Sequence, residues 1–334
     1  NQTISGGNTT SSIESELDDF VDMIFNKIET AKNYIRKLYR MFVRSEWDQE
    51  VEDDIITPLA QQLQSNGYNL LEVLKTLLKS KHFFDLDDTD STNENIGAII
   101  KNPLQFVNEL IQLLGVVIPD PNTPQTPQGS GYNIYNENFR YYIFWNAFLH
   151  NSFFASTGMT PFAPATVAGY PGDYQPPAYD KAWFNPNNIV ARYNTILSFI
   201  GQDYNDNFGN GFNKIKGVQT TQNGTQYYER IWTFFDAVDF LENTVTDPFD
   251  ANKIVEELSE ILYCESIDSF RVSYFVKFLI HNNEPNYVWY NTWNAFKNGN
   301  TTDSENALVT IKNRLAGQDG LIPKMINASE FQLM

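Results

Sequence analysis

Residues 17–44 read LDDFVDMIFNKIETAKNYIRKLYRMFVR, and this stretch carries the pattern that decides the fold. Its apolar side chains recur three, four or seven positions apart, at Leu17, Val21, Ile24, Ile28, Ile35, Leu38 and Phe42. A helix places residues at these spacings on one face, so the stretch predicts one or two amphipathic helices that end near Arg44.

Helix boundaries are marked along the rest of the chain. Thr57-Pro58, Asn102-Pro103 and Asn185-Pro186 each read as a cap followed by proline at the first helical position. Further helices are predicted over 136–154, 227–243, 249–264, 267–281, 287–297 and 304–316. Residues 202–226 predict a loop or a short hairpin, because Asn223-Gly224 is a turn signal. The fold class is therefore all-α: an irregular multi-helix bundle with one long Pro- and aromatic-rich loop and little or no β structure.

Length and composition bound the domain organisation. The chain has 334 residues, of which 42% are hydrophobic and 15% aromatic. This is enough apolar material for one large core, so we predict a single helical domain over 1–334. Residues 119–131 (PDPNTPQTPQGSG) hold four of the 15 prolines and predict an internal polar linker.

Charge excludes several kinds of partner. The formal net charge is −18 and the sequence pI is about 4.5. So negative a surface repels phosphate backbones and anionic lipid, which argues against a nucleic-acid partner. No apolar stretch reaches the ~20 residues of a transmembrane helix. The first residue is Asn1 rather than Met, and we expect a processed or truncated piece of a longer protein.

The sequence predicts neither a metal site nor a cofactor. His82, His150 and His281 are too far apart for a local ligand spacing. The acidic loop at 85–90 lacks the glycine and the closing carboxylate of a calcium-binding loop. Cys264 lies on the apolar side of a predicted helix, where a buried and inert thiol is expected. No catalytic residue can be named from these patterns.

Four cations follow one another at intervals of four residues, at Lys32, Arg36, Arg40 and Arg44. They therefore share one helix face. One interpretation is ion pairing with the acidic neighbours Glu46, Asp48, Glu50, Glu52, Asp53 and Asp54. The other is a surface for an anionic ligand or partner.

The long loop at residues 158–186, here called the proline loop, reads GMTPFAPATVAGYPGDYQPPAYDKAWFNP. Five prolines precede the one at its end and restrict its backbone, which lowers the entropic cost of forming a site. Four aromatic side chains, Tyr170, Tyr174, Tyr179 and Trp183, could stack on sugars or extended chains. Asp173 and Asp180 are of the type used in acid–base chemistry on a glycosidic bond. The alternative is a purely structural connection, pinned over the helices by its own aromatics.

Parts of this loop and of three other segments resemble one bacterial family, known as domain of unknown function 1800. Residues 164–172 (PATVAGYPG), 182–186 (AWFNP) and 191–192 (AR) are similar to its hallmark. So are 30–43 (TAKNYIRKLYRMFV), 101–107 (KNPLQFV) and the tail 329–334 (SEFQLM), which looks like the ending of members from the Bacteroidetes group.

Two departures accompany the resemblance. Tyr170 stands where the hallmark has a second tryptophan. Members also usually carry a preceding half with an N-E-N-x-A-R-E-L-L-E-L motif, so this chain resembles the carboxy-terminal half of a member. The resemblance implies a predominantly helical fold and an exported protein of the periplasm, outer membrane or extracellular space. It implies no reaction.

Two functions follow as hypotheses. The first is a non-enzymatic, exported binding or assembly component of the cell envelope, whose proline loop contacts a glycan or an envelope protein. The second is a hydrolase of polysaccharide or sulfated glycan, with Asp173 and Asp180 as candidate carboxylates and Arg192 orienting an anionic group. The candidate ligand-binding residues are Tyr170, Asp173, Tyr174, Tyr179, Asp180, Trp183 and Arg192.

Overall fold

A computed structural model describes residues 3–86, 94–115, 143–200, 214–222, 225–232, 235–280 and 284–334. The regular structure in these ranges is helical apart from one two-stranded hairpin, and the all-α prediction is confirmed. The chain divides into two compact units, unit 1 (residues 1–99) and unit 2 (residues 100–334). A single domain over 1–334 stays a prediction, and the linker at 119–131 lies outside the described residues.

Unit 1 begins with α1 (Thr10–Phe25) and α2 (Ile28–Phe42), so residues 17–44 form two helices that meet at a turn around Asn26. Next comes α3, which runs without a break through Gln49–Val51, a π-helical stretch at Glu52–Ile56, and Thr57–Ser65. The last elements are α4 (Leu70–Leu78) and a 3₁₀ turn (His82–Phe84).

The apolar face of α2 supplies the core of unit 1. Ala31, Ile35 and Tyr39 are fully buried and pack in one cluster with residues of α3 and α4. This cluster also contains Val43, Val51, Ile56, Leu59, Ala60, Leu63, Val73 and Leu77. Of the seven apolar residues whose spacing predicted these helices, only Ile35 belongs to the buried cluster, while Ile28, Leu38 and Phe42 are partly buried against it. Leu17, Val21 and Ile24 are exposed, so the spacing predicted the helices better than the burial.

Three of the four cations in the basic row, Lys32, Arg36 and Arg44, form internal ion pairs, as the first interpretation predicted. The Arg36 guanidinium donates to Glu52 from both Nε (3.2 Å) and Nη2 (2.6 Å), and Lys32 lies 3.6 Å from the same carboxylate. Hydrogen bonding from Arg36 holds the pKa of Glu52 below its usual value. Arg44 pairs at 2.8 Å with Glu94, a residue outside the acidic set predicted for it.

Unit 2 begins with α5 (Pro103–Leu113) and α6, in which a π-helical stretch, Ile143–Phe154, continues into Ala155–Thr157. The proline loop contains α7 (Pro171–Tyr174) and a 3₁₀ turn (Tyr179–Trp183), and it leads into α8 (Pro186–Ile200). The remaining helices are α9 (Ala237–Thr244), α10 (Ala251–Leu262), α11 (Ser269–Ile280), α12 (Tyr287–Asn298), α13 (Thr301–Ala316) and α14 (Leu321–Ile326), followed by a 3₁₀ turn (Ser329–Gln332).

The hairpin between α8 and α9 corrects one predicted helix. Strands β1 (Lys214–Gln222) and β2 (Thr225–Trp232) pair antiparallel, with Tyr227 opposite Thr220 and Gln222 opposite Thr225. The prediction of helix from residue 227 is wrong, because an Asn-Gly pair between β-forming residues favours a hairpin over helix continuation. The helix begins instead at Ala237, where the Asp236 carboxylate accepts from the amides of Val238 and Asp239.

Cys264 is exposed just beyond the end of α10, so the prediction that it is buried is wrong. Across the described ranges, we find no helix with both the length and the apolar character needed to cross a membrane. The core of unit 2 is built around Trp289, Trp293 and Phe331, all fully buried.

Candidate functional site

The proline loop leaves α6 at Gly158 and is fixed by a tryptophan. Gly158 has φ of 79°, a left-handed conformation that glycine adopts without strain and that ends the helix. Trp183, at the end of the 3₁₀ turn, is 4% exposed and lies against the backbone of Gly172 in α7. The contact is so close that a β-carbon on Gly172 would lie 2.2 Å from Cε2 of the Trp183 ring. Only glycine fits beneath this ring.

Tyr170 packs against the same tryptophan. We call the packed segment around Trp183, residues 170–192, the corner. The Tyr170 ring packs on Trp183, with 6.1 Å between ring centroids, and its hydroxyl donates to the carbonyl oxygen of Thr160. An aromatic ring with a polar tip satisfies both contacts. The Tyr170 hydroxyl thus ties the beginning of the loop to its middle.

The end of the loop is fixed by Asn185 and Asn188. Asn185 Oδ1 accepts from the amides of Asn187 (3.0 Å) and Asn188 (3.1 Å), which caps the amino terminus of α8. The buried Asn188 side chain donates to the carbonyl of Thr157 at the end of α6 (3.1 Å). The two ends of the proline loop are therefore held together by one amide side chain.

Asp180 is buried, and its carboxylate accepts a hydrogen bond from a backbone amide. Its Oδ2 accepts from the amide of Ile100 at 2.9 Å, a contact between residues 80 positions apart. The carboxylate therefore holds the segment before α5 against the loop. The distances leave Asp180 inside the corner, whereas the hydrolase hypothesis needs it facing a substrate.

Arg192 on α8 has no exposed surface. Its Nη2 donates to the carbonyl of Lys101 (2.5 Å) and its Nη1 donates to Oε1 of Gln332 (3.0 Å), while its guanidinium lies 5.2 Å from the centre of the Phe106 ring. Burial lowers the pKa of Arg192 to about 10, so the side chain stays protonated at neutral pH. Through these contacts the Arg192 side chain links α8 to Lys101 before α5 and to Gln332 in the carboxy-terminal tail.

Lys101 and the carboxy-terminal tail complete this junction. The amide of Lys101 donates to the carbonyl of Gln332, and its Nζ donates to Glu109 and to the carbonyl of Phe331, each at 2.8 Å. Ile100 forms an antiparallel bridge with Leu333. The tail is thereby bound to the segment before α5, and Arg192 closes the junction from α8.

The loop is exposed at its tip, defined as residues 160–169, and again at residues 173–178. Phe162 and Val167 are fully exposed there, although the backbone around them is hydrogen-bonded. The amide of Ala163 donates to the Thr160 carbonyl, and the amide of Gly169 donates to the Thr166 carbonyl, both at 3.1 Å. Two apolar side chains are therefore exposed to solvent on a turn whose backbone is hydrogen-bonded.

Three of the predicted site residues lie near the surface around the tip. The Tyr174 hydroxyl is hydrogen-bonded to the Thr166 hydroxyl (2.9 Å), with its ring 37% exposed. Asp173 is an exposed residue, and partial burial of its carboxyl raises its pKa. Tyr179 is half-buried and has a positive φ of 42° at the start of the 3₁₀ turn.

The structure thus separates the seven predicted residues into two groups. Asp180, Trp183 and Arg192 are interior, and Tyr170 is half-buried beside them. Asp173 and Tyr174 are exposed and Tyr179 is half-buried, so these three remain accessible. No group of three or more His, Cys, Asp or Glu side chains that could hold a metal ion occurs within the described part of the chain.

The sequence-based candidates did not include Phe162 and Val167. A signal was present, because no Asp, Glu, Lys or Arg occurs between residues 151 and 172 while apolar residues and prolines do. Such a run on a surface loop indicates a contact surface. Lys101 and Gln332 were also missed as partners of Arg192, since nothing local connects these positions.

Comparison with known protein families gives a match over nearly the whole chain. The family described as protein of unknown function (DUF1800) matches residues 1–333, which takes in both units and all the motifs quoted above. No curated protein and no solved structure matches the chain. The segments that resemble the family hallmark, 164–172, 182–186 and 191–192, contain Gly172, Trp183, Asn185 and Arg192. We conclude that the chain belongs to the DUF1800 family of proteins of unknown function.

Proposed function

We propose that this protein is a non-enzymatic binding or assembly component of the bacterial cell envelope, and that the tip of the proline loop contacts a protein partner. The observation that carries this proposal is the full exposure of Phe162 and Val167 on a hydrogen-bonded turn. Exposed apolar side chains on a braced backbone are typical of contact surfaces.

The chemistry of the tip favours a protein over a glycan. Burying Phe162 and Val167 would contribute about 1.5–3 kcal/mol each, and a braced turn loses little conformational entropy on binding. A sugar would need hydrogen-bonding side chains beside an aromatic ring. Tyr174 with Asp173 offers a small site of that kind next to the tip, so a glycan is the second candidate ligand.

An exported location is part of the proposal and rests on the resemblance to the family. The family resemblance supports a protein of the periplasm, outer membrane or extracellular space. A source in the Bacteroidetes group is a proposal on the same footing, supported by the resemblance of the tail at 329–334. A net charge of −18 supports a partner that is neither nucleic acid nor anionic lipid.

A pull-down with matched variants tests the proposal. The full chain, the double variant Phe162→Ala/Val167→Ala and the control Phe270→Ala would each be immobilised and exposed to envelope extract from the source cells. Phe270 is an exposed aromatic residue of α11, outside the loop. We expect the double variant to bind the captured protein with about 100-fold lower affinity than the wild type, and the control to bind it as the wild type does. Equal capture by all three proteins would refute the proposal.

The hydrolase remains a second proposed function, supported by one observation. Asp173 is exposed next to Tyr174, and partial burial of its carboxyl raises its pKa, which is the direction that a general acid needs. Asp180 and Arg192 support it less, because both side chains already hold backbone or side-chain partners inside the corner. Assays on polysaccharides and sulfated glycans with wild type and Asp173→Asn decide the matter. Turnover that Asp173→Asn abolishes would support hydrolysis, and absence of turnover by the wild type would exclude it for those substrates.

A further inference from the structure

The first part of the tip is a tight turn that holds an aromatic side chain in a strained backbone conformation. Residues 160–163 read Thr-Pro-Phe-Ala, and the Ala163 amide donates to the Thr160 carbonyl at 3.1 Å. Phe162, the third residue of the turn, has a left-handed φ of 62°. Glycine is the residue that this position favours, because a β-carbon is strained there. Phe162 is fully exposed, so burial of its ring does not offset the strain.

The second part of the tip is a turn held by a chain of hydroxyl groups. The Gly169 amide donates to the Thr166 carbonyl (3.1 Å), and the Thr166 hydroxyl donates to the Gly169 carbonyl (3.0 Å). The hydroxyl oxygens of Tyr174 and Thr166 lie 2.9 Å apart. A threonine hydroxyl has one proton, which Thr166 donates to Gly169, so Tyr174 is the donor in this third bond. Val167, the second residue of this turn, is fully exposed.

A tyrosine hydroxyl from the corner holds each of the two turns. Tyr170 donates to the Thr160 carbonyl, the oxygen that also closes the first turn. Tyr174 donates to Thr166, the first residue of the second turn. Tyr170 packs on the buried Trp183, and Tyr174 is the last residue of α7. Each turn is therefore tied to the corner at its first residue. A turn that is fixed before binding loses less conformational entropy when a partner arrives.

We propose that Tyr170 and Tyr174 are positioning residues that hold Phe162 and Val167 as a two-point contact, and that the protein partner has a separate apolar pocket for each side chain. This inference rests on the proposed function and adds the form of the partner's surface. The two side chains come from different turns with separate ties to the corner, so their spacing is set before binding. No Asp, Glu, Lys or Arg occurs between residues 151 and 172, so neither pocket needs a charge.

Urea unfolding tests the strained turn without a partner. Phe162→Gly relieves the left-handed strain, whereas Phe162→Ala retains it. We expect the ratio of folded to unfolded protein to be about fivefold higher for the glycine variant than for the alanine variant. Val167 is the matched control, because its φ is not left-handed. At that position the alanine variant should be the more stable of the two. Equal or lower stability of Phe162→Gly relative to Phe162→Ala would overturn the strained turn.

Capture of protein from envelope extract of the source cells tests the positioning role. The full chain and its variants are immobilised, and apparent affinity is measured for the protein that the wild type captures. Tyr174→Phe and Thr166→Val should each lower this affinity about three- to tenfold, since the second turn must then become ordered on binding. Adding Tyr174→Phe to Thr166→Val should cause no further loss, because both changes break the same chain of hydroxyl groups.

Tyr170→Phe tests the tie of the first turn. It should lower the apparent affinity by a similar factor, and its effect should multiply with that of Tyr174→Phe because the two turns are held separately. Tyr287→Phe is the matched control for loss of a tyrosine hydroxyl. Tyr287 is 63% exposed and lies on α12, outside the loop. We expect this control to bind like the wild type.

The variants distinguish failure of this inference from failure of the proposed function. Capture that Phe162→Ala/Val167→Ala does not reduce would refute both. Capture that this pair abolishes, but that Tyr170→Phe and Tyr174→Phe leave unchanged, would refute the positioning role and keep the contact surface. A further loss on adding Tyr174→Phe to Thr166→Val would also overturn the inference, because Tyr174 would then contact the partner itself.

Discussion

Replacing Gly172 by alanine tests whether the family hallmark forms a structural corner. The added β-carbon would lie 2.2, 2.5 and 2.6 Å from Cε2, Nε1 and Cζ2 of Trp183. Ordinary contacts between carbon atoms are about 3.5–4.0 Å, so all three approaches are far inside the repulsive range. The indole cannot move outward freely, because it is 4% exposed and packed on Tyr170.

We expect this substitution to lower the free energy of unfolding by about 3 kcal/mol, the upper end of the usual cost of overpacking. The clash requires the indole, so Gly172→Ala should cost under about 0.5 kcal/mol when Trp183 is already leucine. The difference between the two costs is the coupling energy, about 2.5 kcal/mol. Urea unfolding followed by circular dichroism measures all four proteins of this cycle.

Gly158→Ala is the matched control. A β-carbon on Gly158 has no neighbour within 4 Å, although φ is 79°. It should therefore cost only the strain of the left-handed conformation, about 1–2 kcal/mol, with no coupling to Trp183. The reasoning is refuted if Gly172→Ala costs the same in the wild-type and Trp183→Leu backgrounds, or less than Gly158→Ala in the wild type.

Three further outcomes are expected. Arg192→Met should cost about 2–4 kcal/mol in urea unfolding, since it leaves the Lys101 carbonyl and Gln332 without their charged donor, and a cost below 1 kcal/mol would contradict the junction. Glu52→Gln should cost about 1 kcal/mol at neutral pH. The lowered pKa of Glu52 stabilises the fold above the ordinary value of 4.5, and this contribution disappears as pH falls through the folded pKa, so the gap between variant and wild type should close in acid. Phe162→Ala/Val167→Ala should leave the free energy of unfolding unchanged within about 0.5 kcal/mol, because both side chains are fully exposed.

Local patterns predicted most of the fold. The spacing in residues 17–44 predicted both helices, but burial followed it poorly: Ile35 is buried, whereas Leu17 and Val21 are exposed. Periodicity shows which residues share a face of a helix and cannot show whether another element covers that face. The Asn223-Gly224 pair indicated a hairpin, but the length of β2 did not follow, since Tyr-rich stretches suit either a strand or a buried helix. The proline caps predicted at Pro103 and Pro186 agree with the structure. The one predicted at Thr57-Pro58 does not, because helical backbone already runs from Gln49 through this pair.

The candidate site was less predictable because its contacts are distant in sequence. Asp180 pairs with Ile100 across 80 positions, and Arg192 pairs with Gln332 across 140. Nothing near either residue distinguishes a buried structural partner from a ligand-binding side chain. Composition identified the proline loop as unusual, yet it could not separate Trp183, which supports the corner, from Phe162, which the corner exposes.

Photo-crosslinking from the loop tip tests the central claim most directly. A photoreactive phenylalanine analogue replaces Phe162 in one full-length protein and Phe270 in another, and each is irradiated in envelope extract from the source cells. If the corner presents Phe162 to a protein partner, position 162 yields a discrete adduct that position 270 does not. Absence of an adduct at 162, or the same adducts from both positions, would contradict the claim that the proline loop is a contact surface.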